Sequence, residues 1–197
     1  MARIKSPRPD DLLALRFDEK YHGNLIRRSE HADMQDIKRA LDWIIPLLKK
    51  KGISFQITGG FAAYLYGATR QVNDIDIDLP TSNLDSLLPE VESYITSPPQ
   101  RHSDTTWDLY VCTLNYHGQL IDLTGASDAF IHNKDTGRWD ALEMNFGLVV
   151  WRDALGHSLP VQNPNDLIAY KLKIKYDEEK HLEDVVAVRQ FLIGNSG

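Results

Sequence analysis

Asp74-Ile75-Asp76-Ile77-Asp78 alternates strictly between carboxylates and isoleucines. Side chains on a β-strand point to opposite faces in turn, so a two-residue alternation is strand periodicity. The pattern predicts a strand over Asp74–Leu79. Asp74, Asp76 and Asp78 share one face, and Ile75, Ile77 and Leu79 turn into a core. Like charges this close repel and raise one another's pKa. A divalent cation relieves that repulsion directly, and magnesium favours carboxylate oxygens together with phosphate and water. The competing reading is an edge strand whose acids face solvent and block aggregation.

The surroundings favour the first reading. Upstream, Ile53–Thr58 reads as a short strand, Gly59-Gly60 as a tight turn, and Phe61–Tyr66 as a helix closed by Gly67. Such a turn lets backbone approach a phosphate, with the first N–H groups of the helix aimed at the anion. Downstream, Trp107–His117 and Gln119–Leu123 read as two strands of a hairpin joined at His117-Gly118. Asp122 lies there among Leu120, Ile121 and Leu123. An acid inside so apolar a run needs a partner, or else faces out from the strand.

The run Ile57-Thr58-Gly59-Gly60, followed by Tyr66-Gly67, Arg70 and Asp74-Ile75-Asp76-Ile77, resembles the polymerase-β-type nucleotidyltransferase superfamily. That pattern is a hydrophobic residue, Gly-Gly or Gly-Ser, a spacer, then acid-hydrophobic-acid. The resemblance implies that Asp74 and Asp76 bind two magnesium ions. It implies that Asp122 is the third carboxylate, which helps activate an acceptor hydroxyl, and that Gly59 and Gly60 hold a triphosphate. Asp76-Ile77-Asp78 also fits acid-hydrophobic-acid. The arginine four residues before Asp74 selects Asp74 and Asp76 as the pair. Arg70 itself has two readings, a phosphate contact or a pin for the loop before the acidic strand.

Asn165-Asp166-Leu167-Ile168-Ala169-Tyr170-Lys171-Leu172, then Lys180 and Glu183-Asp184-Val185, is similar to the abortive-infection and toxin–antitoxin (AbiEii-like) subgroup. The similarity implies that Lys171 contacts the triphosphate, with Lys175 one turn further on. Lys180 and Asp184 are also spaced for an ion pair along one helix face.

The rest of the chain frames this site. Residues 1–33 are polar and read as an N-terminal arm, with a short helix near Asp11–Arg16. Asp33 can cap a helix to Lys51 whose stripe Ile37, Leu41, Ile44, Ile45 and Leu48 faces a core. Ser82 can cap a helix over Leu84–Ile95, and Pro98-Pro99 reads as a break. Leu142–Trp151 and Ser158–Val161 read as further β structure. Asn163-Pro164 starts a helix to about Tyr176, and a last helix covers Lys180–Ile193. The expected fold is α/β (α+β), a mixed sheet with helices mainly on one face and a helical C-terminal segment. The domain spans 34–197, with a catalytic core over 34–126 and an extension over 127–197.

Composition bounds the rest. The chain has 197 residues, one cysteine (Cys112) and a net charge of −6. A lone cysteine forms no internal disulfide, which fits a cytoplasmic protein. No apolar run reaches the ~20 residues that span a bilayer. Residues 1–51 carry 12 Lys/Arg against 8 Asp/Glu, and residues 52–197 carry 10 against 20. An acidic protein is no general nucleic-acid binder, although a basic face over the first residues permits RNA. The histidines are scattered without zinc-site spacing, and no P-loop or nucleophile-elbow motif occurs. The expected reaction moves NMP from an NTP to an acceptor, releasing pyrophosphate. The acceptor is RNA (tRNA) or a protein, with an antitoxin as partner, or else a small molecule such as an aminoglycoside. A silent nucleotide-binding module is the rival from outside catalysis.

Overall fold

The computed structural model describes residues 34–195. The arm over 1–33, its helix near Asp11–Arg16 and the Asp33 cap lie outside the described residues. Helix α1 (Met34–Lys50) forms on the predicted stripe and buries Ile37, Ala40, Leu41, Ile44, Ile45 and Leu48. Each isoleucine or leucine so buried contributes about 1.5–3 kcal/mol. Strand β1 (Gln56–Thr58) leads directly into the short helix α2 (Gly59–Leu65). Strand β2 (Asp74–Leu79) is the acidic run, followed by helix α3 (Thr81–Val91).

A β-meander then builds one side of the sheet: β3 (Ile95–Ser103), β4 (Trp107–Tyr116), β5 (Gln119–Asn133) and β6 (Arg138–Ala141). The β4–β5 turn falls at His117-Gly118, where both residues take positive φ, 50° and 98°. Such a two-residue turn matches the twist of the strands it joins. Asn115 secures it by accepting the Gly118 N–H at 2.7 Å. Strands β7 (Val150–Ala154) and β8 (His157–Val161) form a second hairpin. Helices α4 (Pro164–Lys173) and α5 (Glu178–Gly194) close the described chain. Asn163 caps α4 by accepting the Asn165 N–H at 3.0 Å, and Pro164 sits at the first turn, where its missing donor is not needed.

Among the described residues the sheet has eight strands in the order β3-β4-β5-β2-β1-β8-β7, with β6 paired to β5. It is mixed: β2 runs parallel to β5 and antiparallel to β1, and β1 runs parallel to β8. This α+β architecture with a mixed sheet is the one the sequence leads us to expect. Ile75, Ile77, Leu79, Leu114, Ile121 and Leu123 join the α1 stripe and Leu84, Leu87 and Val91 of α3 in one core. On α1, Trp43 stacks on Tyr116 of β4, with ring centroids 4.3 Å apart.

Local expectations change: α3 opens at Thr81 after Pro80, so Ser82 lies inside the helix rather than capping it, and it ends at Val91, with Ile95 in β3. Pro98-Pro99 does not break the chain but lies within β3, a rim strand whose register with β4 shifts between Ser97 and Gln100. A rim strand with an irregular ladder tolerates residues that cannot donate. Residues 142–149 form no strand, and β structure resumes at Val150. Helix α4 ends at Lys173, short of Tyr176. None of the described helices is long and apolar enough to cross a membrane.

Candidate active site

Alternation in β2 puts Asp74, Asp76 and Asp78 on one face, and the parallel register with β5 sets Asp76 directly opposite Asp122. Neighbouring strands lie about 4.8 Å apart, so the two carboxylates emerge side by side. Asp78 faces Thr124 instead, and its Oδ2 accepts from Gln56 Nε2 at 2.8 Å. Asp122 is less well served. Its Oδ1 is buried and accepts no hydrogen bond among the described residues. Thr113 on β4 stands opposite it in register.

The carboxyl groups respond as crowded, desolvated acids do. Burial, followed by the neighbouring charges of Asp74, Asp122 and Asp78, raises Asp76 well above the usual carboxylate range, and Lys171 opposes the shift. Burial likewise raises Asp122, with Asp74 adding to the shift. Asp78 is pushed up to about 7 by burial, against the Gln56 hydrogen bond. Oxygen donors of this kind suit a hard divalent cation. The orphaned Asp122 Oδ1, next in register to Asp76, is the kind of acceptor such an ion satisfies. Asp74, Asp76 and Asp122 therefore fit magnesium by donor chemistry and register. No three His, Cys, Asp or Glu side chains among the described residues already stand at metal-coordination spacing.

Gly59 begins α2 with φ +63°, and a Cβ there would stand 1.7 Å from Asp76 Oδ2. The turn and the acidic strand therefore touch backbone to carboxylate. A Cβ on Gly60 would stand 2.6 Å from Arg70 Nη2. The guanidinium thus lies against the same turn. Arg70 Nε and Nη2 donate to Asp184 Oδ1 and Oδ2 at 2.6 and 2.8 Å, and Nη1 donates to the Gln71 carbonyl at 3.1 Å. Lys171 Nζ lies 2.7 Å from the same Asp184 Oδ2, with its side chain 1% exposed and that of Asp184 0%.

The structure thus gathers Gly59, Gly60, Arg70, Asp74, Asp76, Asp122 and Lys171 around one end of β2. Asp184 pairs with Arg70 and Lys171 rather than with Lys180, the partner its sequence spacing suggests. Lys175 falls beyond the end of α4 and lines a separate cavity of about 390 Å³ with Thr105, Thr106, His132 and Tyr176. Tyr170, which the sequence gives no role beyond its place in the run before Lys171, feels the charges of the same acids. Burial, then the charges of Asp76, Asp78, Asp74 and Asp184, pushes its phenol well above the ordinary range. Trp107 packs on that ring at 5.5 Å.

Solved structures share this architecture. A candidate nucleotidyltransferase from Thermotoga maritima, TM1012, superposes with a TM-score of 0.61 at 18% identity, over 86% of this chain and 100% of that one. The fold is that of the nucleotidyltransferases. The same fold is seen in the antibiotic-resistance factor ANT(2″)-Ia, solved with adenylyl-2″-tobramycin, at a TM-score of 0.54 and 16% identity over 80% and 90% of the two chains. The lincosamide antibiotic adenylyltransferase LnuA, solved with lincomycin, gives 0.51 and 15% over 78% and 96%. No protein-family model matches the sequence, and neither does any curated protein. The likeness within the nucleotidyltransferase fold is therefore one of structure.

Proposed function

We propose that the chain is a magnesium-dependent nucleotidyltransferase that moves NMP from an NTP to an acceptor hydroxyl. One observation carries the reading: Asp76 and Asp122 stand in direct register, Asp74 shares their face, and Gly59 abuts the Asp76 carboxylate. Asp74, Asp76 and Asp122 are the residues that would hold the magnesium ions. When bound, such ions neutralise phosphate charge and polarise the attacking and leaving oxygens.

The protein's own part is positioning and charge. Gly59 and Gly60 bring the start of α2 against the Asp76 carboxylate and the Arg70 guanidinium, so the groups that would meet metal and phosphate stand together. Lys171 adds its charge from beneath. Asp122, with a free buried oxygen, orients the acceptor hydroxyl and draws on its proton. An active site of this kind works mainly by alignment and by stabilising developing charge.

The acceptor best supported is a small cationic molecule. Residues 52–197 carry twice as many acidic as basic side chains, a field that attracts cations. The antibiotic adenylyltransferases among the structural neighbours take small acceptors, which agrees. A second reading, transfer to tRNA or a protein under the control of an antitoxin, is favoured by the basic excess over residues 1–51.

Incubation with each NTP, labelled in turn at the α- and γ-phosphate, tests the reaction against metabolite and RNA extracts and a panel of aminoglycosides and lincosamides. Label should pass to an acceptor from the α position only, and chelation of magnesium or Asp76→Asn should reduce transfer to background. Transfer from the γ position would make the protein a kinase. Metal-dependent NTP binding without transfer to any acceptor would leave a silent nucleotide-binding module.

A further inference from the structure

We propose that Asp184 and Lys171 are positioning residues that lock Arg70 against the Gly59-Gly60 turn, so that Arg70, and not Lys171, presents the cation that meets the nucleotide's phosphates. The inference rests on the nucleotidyl-transfer reading and deepens it. A guanidinium carries five N–H donors in a planar fork. Three are spent here, two on Asp184 and one on the Gln71 carbonyl. Each terminal nitrogen of Arg70 keeps one. Those nitrogens, Nη2 and Nη1, lie 2.6 and 3.2 Å from the point where a Cβ on Gly60 would stand. The unspent donors therefore flank the turn, and at 14% side-chain exposure Arg70 can be reached.

Lys171 is placed differently. Its ammonium is sealed against Asp184, with the side chain 1% exposed. A phosphate could not touch it unless α4 shifted. Its charge still matters to the balance. Arg70 and Lys171 bring two positive charges to one Asp184, so the cluster keeps a net charge of about +1. The side-on grip of Asp184 fixes the plane of the guanidinium, and two-point carboxylate contacts of this type are the directional ones. Lysine at position 70 would supply charge without a plane.

A binding cycle on the full chain tests this. Magnesium complexes of the four NTPs are titrated into the wild type, and the tightest is used with every variant alongside thermal unfolding. Arg70→Ala should weaken binding about tenfold, and Arg70→Lys nearly as much, as expected for a lost charge-assisted contact. Asp184→Asn and Lys171→Gln should each weaken binding severalfold in the presence of Arg70, and add nothing once Arg70 is alanine. If Asp184→Asn does not fold, Lys171→Gln and Arg70→Lys complete the cycle. A Lys171→Gln effect that persists in the Arg70→Ala background would mean that the lysine touches the nucleotide, and would overturn the proposal. So would an Asp184→Asn protein that melts earlier but binds NTP normally. Wild-type protein that binds no NTP with magnesium would sink the nucleotidyl-transfer reading itself, and this inference with it.

Discussion

At Gly59 two constraints meet in one residue. Its φ of +63° belongs to the left-handed region, and the space a side chain would fill is occupied by the Asp76 carboxylate. The backbone cost alone of placing alanine there is about 1–2 kcal/mol. Asp76 would also have to rotate off the face it shares with Asp122. Gly59→Ala should therefore lower the thermal midpoint and abolish metal-dependent NTP binding together. Gly60→Ala places its methyl against the guanidinium of Arg70 without a backbone penalty, and should displace that side chain and weaken NTP binding with a smaller loss of midpoint than Gly59→Ala. Equal midpoints for Gly59→Ala and wild type would show that the turn is not built as described.

At the level of elements, β2 was the most legible part of the chain, because an Asp/Ile alternation has no good helical reading. The β4–β5 hairpin was legible for a similar reason: His117-Gly118 interrupts two alternating runs. The sequence also shows which acids and glycines the fold brings together, Gly59 against Asp76 and Asp76 beside Asp122. What could not be read was who partners whom. Asp184 lies four residues after Lys180, and sequence offers that neighbour; the fold offers Arg70, 114 residues away in the chain. Gln56 as the partner of Asp78 is equally invisible until β1 and β2 are seen to pair. Pro98-Pro99 was misread because prolines signal a break unless the strand is known to lie at a rim. The position of β2 has a measurable outcome. It is hydrogen-bonded on both sides, to β1 and β5, whereas β7 has a neighbour on one side only among the described residues. In hydrogen–deuterium exchange, peptides covering 74–79 should be among the last to exchange and those covering 150–154 among the first. Rapid exchange over 74–79 would contradict the central placement of the acids.

For the molecule as a whole, the buried titratable groups set a pH dependence. Asp78, 4% exposed, has its carboxyl pushed up to about 7 from 3.8. A group raised on folding holds its proton more tightly in the native state. Its contribution to stability is complete below the unfolded pKa and is lost as pH climbs through the folded one. Asp76 and Asp122, also raised, act in the same direction. His181 acts the other way: burial, then the nearby Lys171 charge, holds it down to about 4 from 6.5, so its contribution fades as pH falls from 6.5 toward 4. Metal-free protein should melt at a higher temperature at pH 6.5 than at pH 8, the gap should shrink in Asp78→Asn, and magnesium should narrow it. A metal-free midpoint that rises from pH 6.5 to 8 would refute this assignment.

The two prolines carried by β3 have a consequence beyond their own strand. Prolines 98 and 99 offer no amide hydrogen, and the ladder around them is out of step. A passing chain seeking an open margin would find no regular row of donors there to copy. Among the described residues the widening of the sheet stops at that border, by a means written into the backbone rather than by charge.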